Sequence, residues 1–217
     1  MTDTTTTVHT RQPARRVCTV LLVVMTLAFA SVITACGGSS VAVPAPLSDA
    51  LVTMQESGGY SFTATIATGT TGTSTVTTVG DFQAPNRISQ TVTRAGSTPV
   101  AMVLDGATVH VQDPSTGLWS TKASTTESAV DLRRTFAALS SPRSMKSDGN
   151  IFTFKLSEKS TKQLAGTDAA GSASVSATVG AIGLSQLQYT VSTNGQPVTV
   201  TIEYRNVGTS PKVTVPV

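Results

Sequence analysis

Apolar and hydroxylated residues alternate along several stretches of this chain, and this period of two constrains its fold more than any other feature. In residues 60–66 every even-numbered residue is apolar and every odd-numbered residue carries a hydroxyl group. Successive side chains of a strand point to opposite faces, so this pattern predicts a strand with one buried and one solvated face. Comparable patterns predict further strands at residues 74–82, 87–93, 99–104, 107–112, 151–156, 175–179, 184–191 and 198–204.

Turn and capping signals complete the predicted fold. Asp105-Gly106 and Asn194-Gly195 each separate two alternating runs, as expected for two-residue hairpin turns. Residues 49–56 are predicted to be helical, with Ser48 as N-cap and Leu47 and Val52 as a hydrophobic staple. A capping box at 124–127 begins a second helix that ends before residue 142, and a third helix is predicted at 158–164. Residues 169–174 are small and are predicted to be a loop. The fold class is therefore α+β, with one antiparallel sheet and a few short helices.

The N-terminal residues have the organisation of an export signal. Arg11, Arg15 and Arg16 precede an uncharged, largely apolar stretch at residues 17–35, and small residues come before Cys36. The run Ile-Thr-Ala-Cys at 33–36 resembles a bacterial lipobox. This resemblance implies cleavage before Cys36 and a diacylglyceryl group on its thiol. We expect a signal peptide at 1–35, a lipidated Cys36 with a flexible tether at 36–46, and one domain at 47–217.

A retained transmembrane helix is the alternative interpretation of the same segment. Its 19 residues nearly suffice to span a bilayer. Glycine and serine follow Cys36 directly, however, and no basic stop-transfer cluster is present. The arginines before the apolar stretch place the rest of the chain on the extracytoplasmic side. The prediction is a lipoprotein held at the extracytoplasmic face of the cell membrane.

The composition after residue 35 excludes several classes of function. The signal segment contains three of the 15 basic and one of the 12 acidic residues, which leaves 182 residues with a net charge of +1. No basic run or arginine–aromatic cluster is present, so nucleic-acid binding has no electrostatic basis. Only Cys18 and Cys36 occur in the chain, so the domain can form no disulfide and has no cysteine ligand for zinc.

Residues suited to catalysis are equally scarce. His110 is the one histidine after the signal segment, and it is expected to be exposed on the strand face opposite the apolar residues. It has no second histidine or carboxylate pair to complete a metal site or to activate a serine. We therefore predict no enzymatic activity, no metal and no cofactor. A hydrolase is a disfavoured alternative. Ester hydrolysis that is lost in a His110→Ala variant would support it.

Three segments resemble the LolA/LolB-like lipoproteins, in particular the LppX/LprG-type group of actinobacteria. Residues 80–88 match that group's G-x-hydrophobic-x-x-P-x-basic-hydrophobic pattern, and residues 105–111 resemble its D-G-x-x-hydrophobic-aromatic hairpin, with His110 at the aromatic position. Residues 204–216 resemble its closing strand. Residues 165–174 depart from the group because they look looser than its lid region.

The resemblance implies a curved antiparallel half-barrel with short helices over its concave face. Members of the group carry acyl chains in a cavity between sheet and helices. The apolar residues of this chain could line such a cavity, or they could simply form the hydrophobic core of the domain. The candidate cavity residues are Tyr60, Phe62, Ile66, Ile88, Val92, Met102, Val109, Leu132, Phe136, Leu139, Phe152, Phe154, Tyr189 and Ile202.

The predicted function is non-catalytic binding and transport, or presentation, of a lipid or glycolipid acyl group by a membrane-anchored lipoprotein. An envelope transporter or another protein is a possible partner. The alternative is an envelope protein-interaction or sensor lipoprotein with the same fold and a closed core. In that case Leu118-Trp119 would contribute to the interface, because an exposed tryptophan is a common interface anchor.

Overall fold

The computed structural model of the chain describes residues 41–69, 74–123 and 132–216. The predicted signal peptide, Cys36, residues 37–40 of the predicted tether and the capping box at 124–127 lie outside these ranges. All of the strands and helices given below follow residue 44, and all of them except the strand at Trp119–Ala123 contribute to one contiguous hydrophobic core or pack against it.

Eleven strands and three short α-helices make up the described structure. The helices are α1 (Ala45–Glu56), α2 (Arg133–Ala137), which continues into a 3₁₀ turn (Ala138–Ser140), and α3 (Glu158–Ala165). The strands are β1 (Gly59–Thr68), β2 (Ser74–Gln83), β3 (Arg87–Arg94), β4 (Val100–Asp105), β5 (Thr108–Gln112), β6 (Trp119–Ala123), β7 (Ser144–Asp148), β8 (Ile151–Lys155), β9 (Ala169–Val179), β10 (Leu184–Thr193) and β11 (Gln196–Arg205).

The strands form a single antiparallel sheet made of two meanders. The sheet order is β6-β5-β4-β3-β2-β1-β11-β10-β9-β8-β7, so the chain runs outward from the centre to β6 and returns inward from β7. The two meanders meet where β1 pairs with β11. Within the described residues β6 and β7 do not pair, so the sheet is open.

The sheet curves around its helices. Eleven strands at ~4.8 Å spacing would place the edge strands of a flat sheet ~48 Å apart. Yet Leu104 from β4 and Phe154 from β8 belong to one contiguous buried cluster, together with Leu51 and Met54 of α1. Open sheets of this size curl, and curvature lets three short helices cover the apolar face.

The alternation predicted for β1 is confirmed. Tyr60, Phe62 and Ala64 are buried on the concave face, whereas Ser61 and Thr63 are only partly buried on the convex face. The register continues this division across the sheet, because Phe62 lies opposite both Tyr204 and Gly80. The other predicted strands are also present, with ends that differ by one to a few residues.

The N-terminal helix begins earlier than predicted. Helix α1 starts at Ala45 rather than Asp49, so Ser48 lies inside it and its backbone N–H donates to the Pro44 carbonyl at 2.9 Å. Pro46 fits the first turn, where the missing N–H has no helical partner in any case. Val52 is 47% exposed, so it forms no hydrophobic staple.

The last residues of the predicted tether are bound to the domain. The N–H of Val41 donates to the carbonyl of Pro142 at 2.9 Å.

The loop predicted at residues 169–174 is wrong, because these residues begin strand β9. Ala169 and Ala173 are buried, and the backbone N–H of Ala173 donates to the buried hydroxyl of Thr161 on α3 at 2.8 Å. Small side chains let the helix approach the strand closely enough for this bond. A run of small residues therefore indicated helix packing here, and not a loop.

Strand β7 was not predicted, because its sequence is almost entirely polar. Four of its five residues are exposed, and Met145 alone turns toward the core, opposite Phe154 of β8. An edge strand paired on one side gives no alternating apolar signal.

The C-terminal residues differ from the closing strand that the resemblance implied at 204–216. The last strand ends at Arg205, and residues 206–216 have no regular structure, although Val213 is buried.

His110 lies on the convex face as predicted, but it is not exposed. Its side chain is 9% exposed, between Val103 of β4 and Thr121 of β6. Its Nδ1 atom lies 3.2 Å from the Thr121 hydroxyl oxygen. The sequence pattern assigns the correct face to His110. It does not reveal that side chains on the neighbouring strands β4 and β6 bury the imidazole.

Two turn predictions have different outcomes. The Asn194-Gly195 turn is confirmed, with φ of 51° and 74°. The turn predicted at Asp105-Gly106 is wrong by one residue. Asp105 pairs with Thr108, so the two-residue turn of the β4–β5 hairpin is Gly106-Ala107, with Gly106 at φ 61°. Asp105 is instead the last strand residue, and its carboxylate accepts a 2.8 Å bond from Arg87 Nε.

Gly80 should be sensitive to substitution because β2 and β3 are in close contact there. A Cβ atom at residue 80 would lie 2.5 Å from the Ser89 carbonyl oxygen and 2.8 Å from the Gln90 Cβ. We expect Gly80→Ala to lower the free energy of unfolding by about 1–3 kcal/mol in urea denaturation. Gly58→Ala is the control, because its nearest neighbours would be 3.9 Å away. Equal stability of the two variants would contradict this close packing.

Candidate binding cavity

A largely apolar cavity of about 120 Å³ lies between the concave face of the sheet and the ends of two helical segments. Strands β1, β10 and β11 supply most of its wall, and β2 and β3 supply one side. Leu132 and Thr135 contribute from the α2 segment, and Leu164 and Ala165 from the end of α3. Within the described residues, α2 and α3 leave this part of the concave face uncovered.

Aromatic rings fix one end of the cavity. The ring of Tyr60 contacts Phe82 at a centroid distance of 5.0 Å and Tyr204 edge-on at 5.4 Å. Phe136 of α2 packs against both tyrosines, at 6.3 Å from Tyr60 and 5.7 Å from Tyr204. Such offset and edge-on pairs are favourable geometries. Because the four rings support one another, Tyr60 and Tyr204 form a rigid wall.

The structure brings half of the predicted cavity residues together. Those that line the cavity are Tyr60, Phe62, Ile66, Ile88, Leu132, Tyr189 and Ile202. The other seven lie elsewhere in the molecule. Phe136, Leu139, Phe152 and Phe154 are buried in the main core, and Val109 packs at its margin. Met102 is buried and Val92 is partly buried, but neither belongs to that core cluster.

Several lining residues were not among the predicted ones. Leu187 and Val191 flank Tyr189 at the period of two, and Val198, Val200 and Tyr204 stand in the same relation to Ile202. The alternation itself could have identified these five. The alternation of β1 also marks Ala64, whereas Leu164 and Ala165 gave no distinct signal. Thr78, Gln90, Thr135 and Thr193 are polar, and a search for apolar residues passes over them.

The described lining carries no acidic, basic or histidine side chain. Burial raises the pKa of Tyr189 and of Tyr204 well above the ordinary value for a phenol, and their proximity raises that of Tyr204 further. Both tyrosines therefore remain neutral at physiological pH. Because a charge would lose its hydration here without gaining a counter-charge, the cavity suits an uncharged ligand.

Among the described residues, Thr78 has a buried side-chain hydroxyl group that forms no hydrogen bond. The residue as a whole is 1% exposed. Thr135, by contrast, donates its hydroxyl to the Leu132 carbonyl at 2.6 Å. A buried polar group without a partner costs free energy.

The size of the cavity limits what it holds in this conformation. An engineered apolar cavity of about 150 Å³ binds benzene, so a cavity of this size accommodates roughly six carbon atoms. A longer alkyl chain would have to extend beyond the cavity or displace a helical segment. The described residues include no group of three or more side chains suited to hold a metal ion. None of the described helices is long and apolar enough to cross a membrane.

Comparisons with known proteins add little to this geometry. No protein-family model matches the chain, and no curated protein sequence is similar to it. Among solved structures, a redesigned β-barrel, mFAP1, bound to DFHBI is 12% identical, with a TM-score of 0.22 over 71% of this chain and 98% of that one. A likeness this distant carries no argument about function.

Replacing Thr78 with valine should stabilise the protein. The two side chains have nearly the same shape, and the change removes a buried hydroxyl that has no partner. We expect Thr78→Val to raise the free energy of unfolding by about 1 kcal/mol in chemical denaturation. Thr63→Val, on the convex face of β1, is the control and should change stability by no more than ~0.5 kcal/mol. A loss of stability in Thr78→Val alone would mean that the hydroxyl is hydrogen-bonded.

Proposed function

We propose that this protein is a membrane-anchored extracytoplasmic lipoprotein that binds the acyl part of a lipid or glycolipid and carries or presents it without catalysis. In this proposal the curved sheet is a half-barrel of the LolA/LppX type, and its helices cover the binding cavity. The observation that carries the proposal is the uncharged, largely apolar cavity between the concave face and the ends of α2 and α3.

The chemistry of the cavity matches an acyl chain. An alkyl chain has no hydrogen-bonding needs, and it can follow an irregular apolar space. Each buried methylene contributes ~0.8 kcal/mol, so six carbon atoms contribute ~5 kcal/mol before the cost of association. That amount alone gives weak binding. A tight complex would therefore require more of the chain to be buried, through movement of the short α2 segment or of α3.

The anchor is part of the proposal. Cys36 would carry the lipid that holds the protein on the membrane, and residues 37–40 would connect it to the described domain. Val41 is already bound to the domain through the Pro142 carbonyl. Because the remaining linker is only a few residues long, an anchored domain would lie close to the membrane surface, where its ligand would be found.

An envelope protein-interaction role is the second candidate, and one surface feature favours it. Leu118 is 71% exposed and directly precedes Trp119, the first residue of edge strand β6. Four of the five residues of β6 are exposed, and its outer backbone groups have no neighbouring strand within the described residues. An exposed edge can accept a strand from a partner, and the exposed Leu118 beside it could anchor that partner, whereas Trp119 is half-buried.

Native mass spectrometry of residues 37–217, purified without detergent from an actinobacterial host, tests lipid binding. We expect a discrete adduct of lipid mass that organic extraction removes. Ala165→Phe should abolish the adduct, because a phenyl group projecting from Ala165 is large enough to fill the cavity. Ala137→Phe, at an exposed position of α2, is the control and should retain it. An adduct that persists in a folded Ala165→Phe variant would place the ligand elsewhere, and a ligand-free wild type after gentle purification would favour the protein-interaction role.

The anchor is tested separately by replacing Cys36. We expect Cys36→Ala to prevent lipid attachment, so that the protein is found uncleaved or in the soluble fraction. Cell fractionation and the intact mass of the product measure this outcome. Cys18→Ala, inside the predicted signal segment, should leave processing unchanged. A Cys36→Ala protein that still fractionates as a mature membrane lipoprotein would show that the anchor is assigned to the wrong residue.

A further inference from the structure

Two polar residues occupy positions on the concave face where the strand pattern places apolar ones. Thr78 of β2 and Gln90 of β3 both line the cavity, and they are 1% and 9% exposed. Their strand neighbours on the same face include Val76, Phe82 and Ile88, which are buried. A polar pair in such surroundings has no packing advantage over valine and leucine.

Thr78 is the member of this pair that the described protein leaves unsatisfied, because its hydroxyl oxygen is buried without a hydrogen-bond partner. The Gln90 side chain borders the same space, and its amide is not among the buried groups that lack a partner. Buried polar groups in folded proteins nearly always have partners, and exceptions call for a specific explanation. A ligand that supplies the missing partner is such an explanation, because both residues border the space it would fill.

The register places the two side chains next to each other. Thr78 lies opposite Val92, and Gln90 lies opposite Gly80, so the two polar residues are diagonal neighbours on one face. Gly80 makes this arrangement possible: a Cβ there would approach the Gln90 Cβ to 2.8 Å and the Phe62 ring to 3.0 Å. The chain thus keeps a glycine where a side chain would crowd Gln90 and the aromatic ring beside it.

The charge of the surroundings defines the class of group that this pair can bind. The described lining contains no charged side chain, and its buried tyrosines stay neutral. An ionised carboxylate or phosphate would be desolvated there without a counter-charge, which is strongly unfavourable. An uncharged ester, amide or hydroxyl can accept or donate a hydrogen bond to threonine and glutamine without that penalty.

We propose that Thr78 and Gln90 form a polar subsite that binds an uncharged hydrogen-bonding group, such as an ester or a hydroxyl, attached to the alkyl chain in the cavity. This proposal rests on the proposed acyl-binding function and narrows its ligand class to neutral lipids. The alkyl part contacts Leu187, Val200 and Ile202, and the polar group lies against β2 and β3.

The test compares three probes by NMR titration of residues 37–217, which contain every described strand and helix. Methyl octanoate provides the uncharged ester, octanoate at pH 8 provides the same chain with a carboxylate, and xenon provides a purely apolar probe of the cavity. The methyl signals of Ile66, Ile88 and Ile202 report binding, since all three side chains line the cavity. The side-chain amide signals of Gln90 report contact with the polar group.

We expect methyl octanoate to bind at least about tenfold more tightly than octanoate and to shift the Gln90 amide signals. The double variant Thr78→Val, Gln90→Leu should bind the ester about three- to tenfold more weakly, with xenon binding unchanged. Thr63→Val, on the opposite face of the sheet, should behave as the wild type for all three probes.

The outcomes separate this inference from the function on which it rests. If ester and carboxylate bind equally, or if the double variant binds the ester as the wild type does, the polar subsite is refuted while acyl binding stands. If neither octanoyl probe nor xenon perturbs the isoleucine methyl signals, the cavity is closed, and the proposed function fails together with the subsite.

Discussion

The pairing of β1 with β11 is the contact on which the rest of this structure depends. β1 is the first strand of one meander and β11 is the last strand of the other. Within the described residues, the two meanders join only where these two strands pair. The pairing brings Phe62 beside Tyr204 and Ala64 beside Ile202, so the central concave face is assembled from both ends of the chain. A hydrogen bond of 3.3 Å from Asn206 to Ser61, 145 residues apart, ties the same ends together. Without this register, neither the aromatic wall nor the cavity would exist.

The cavity is the result of a mismatch between a wide sheet and short helices. Helices α1, α2 and α3 have 12, 5 and 8 residues, and they must cover the concave face of an eleven-stranded sheet. Where α1 packs, Leu47, Leu51 and Met54 are almost completely buried and the core is closed. Between the ends of α2 and α3, the described residues leave the same face partly uncovered. A protein selected only for stability would fill such a space with larger side chains.

The polar residues at this opening strengthen the case for a ligand. Stability alone would favour an apolar residue at position 78, since Thr78 is buried and its hydroxyl gains no hydrogen bond within the described protein. Local choices that conflict with the overall fold tend to be found at functional sites. The same side of the cavity therefore combines incomplete packing with incomplete hydrogen bonding, and one bound neutral lipid would remedy both.

The alternating pattern was enough to assign the two faces of the strands and most of the strand positions, because side chains alternate with a period of two residues whatever covers the sheet. It did not reveal β7, whose edge position needs no apolar face, or the first part of β9 at residues 169–174, whose alanines are small because α3 packs on them. It also named Phe136, Leu139 and Phe152 as cavity residues on the same grounds as Tyr189 and Ile202, although the first three are core. Whether an apolar residue belongs to the core or to the cavity wall depends on where the short helices rest on the sheet. Contacts between distant parts of the chain determine that position, so the strand pattern does not contain it.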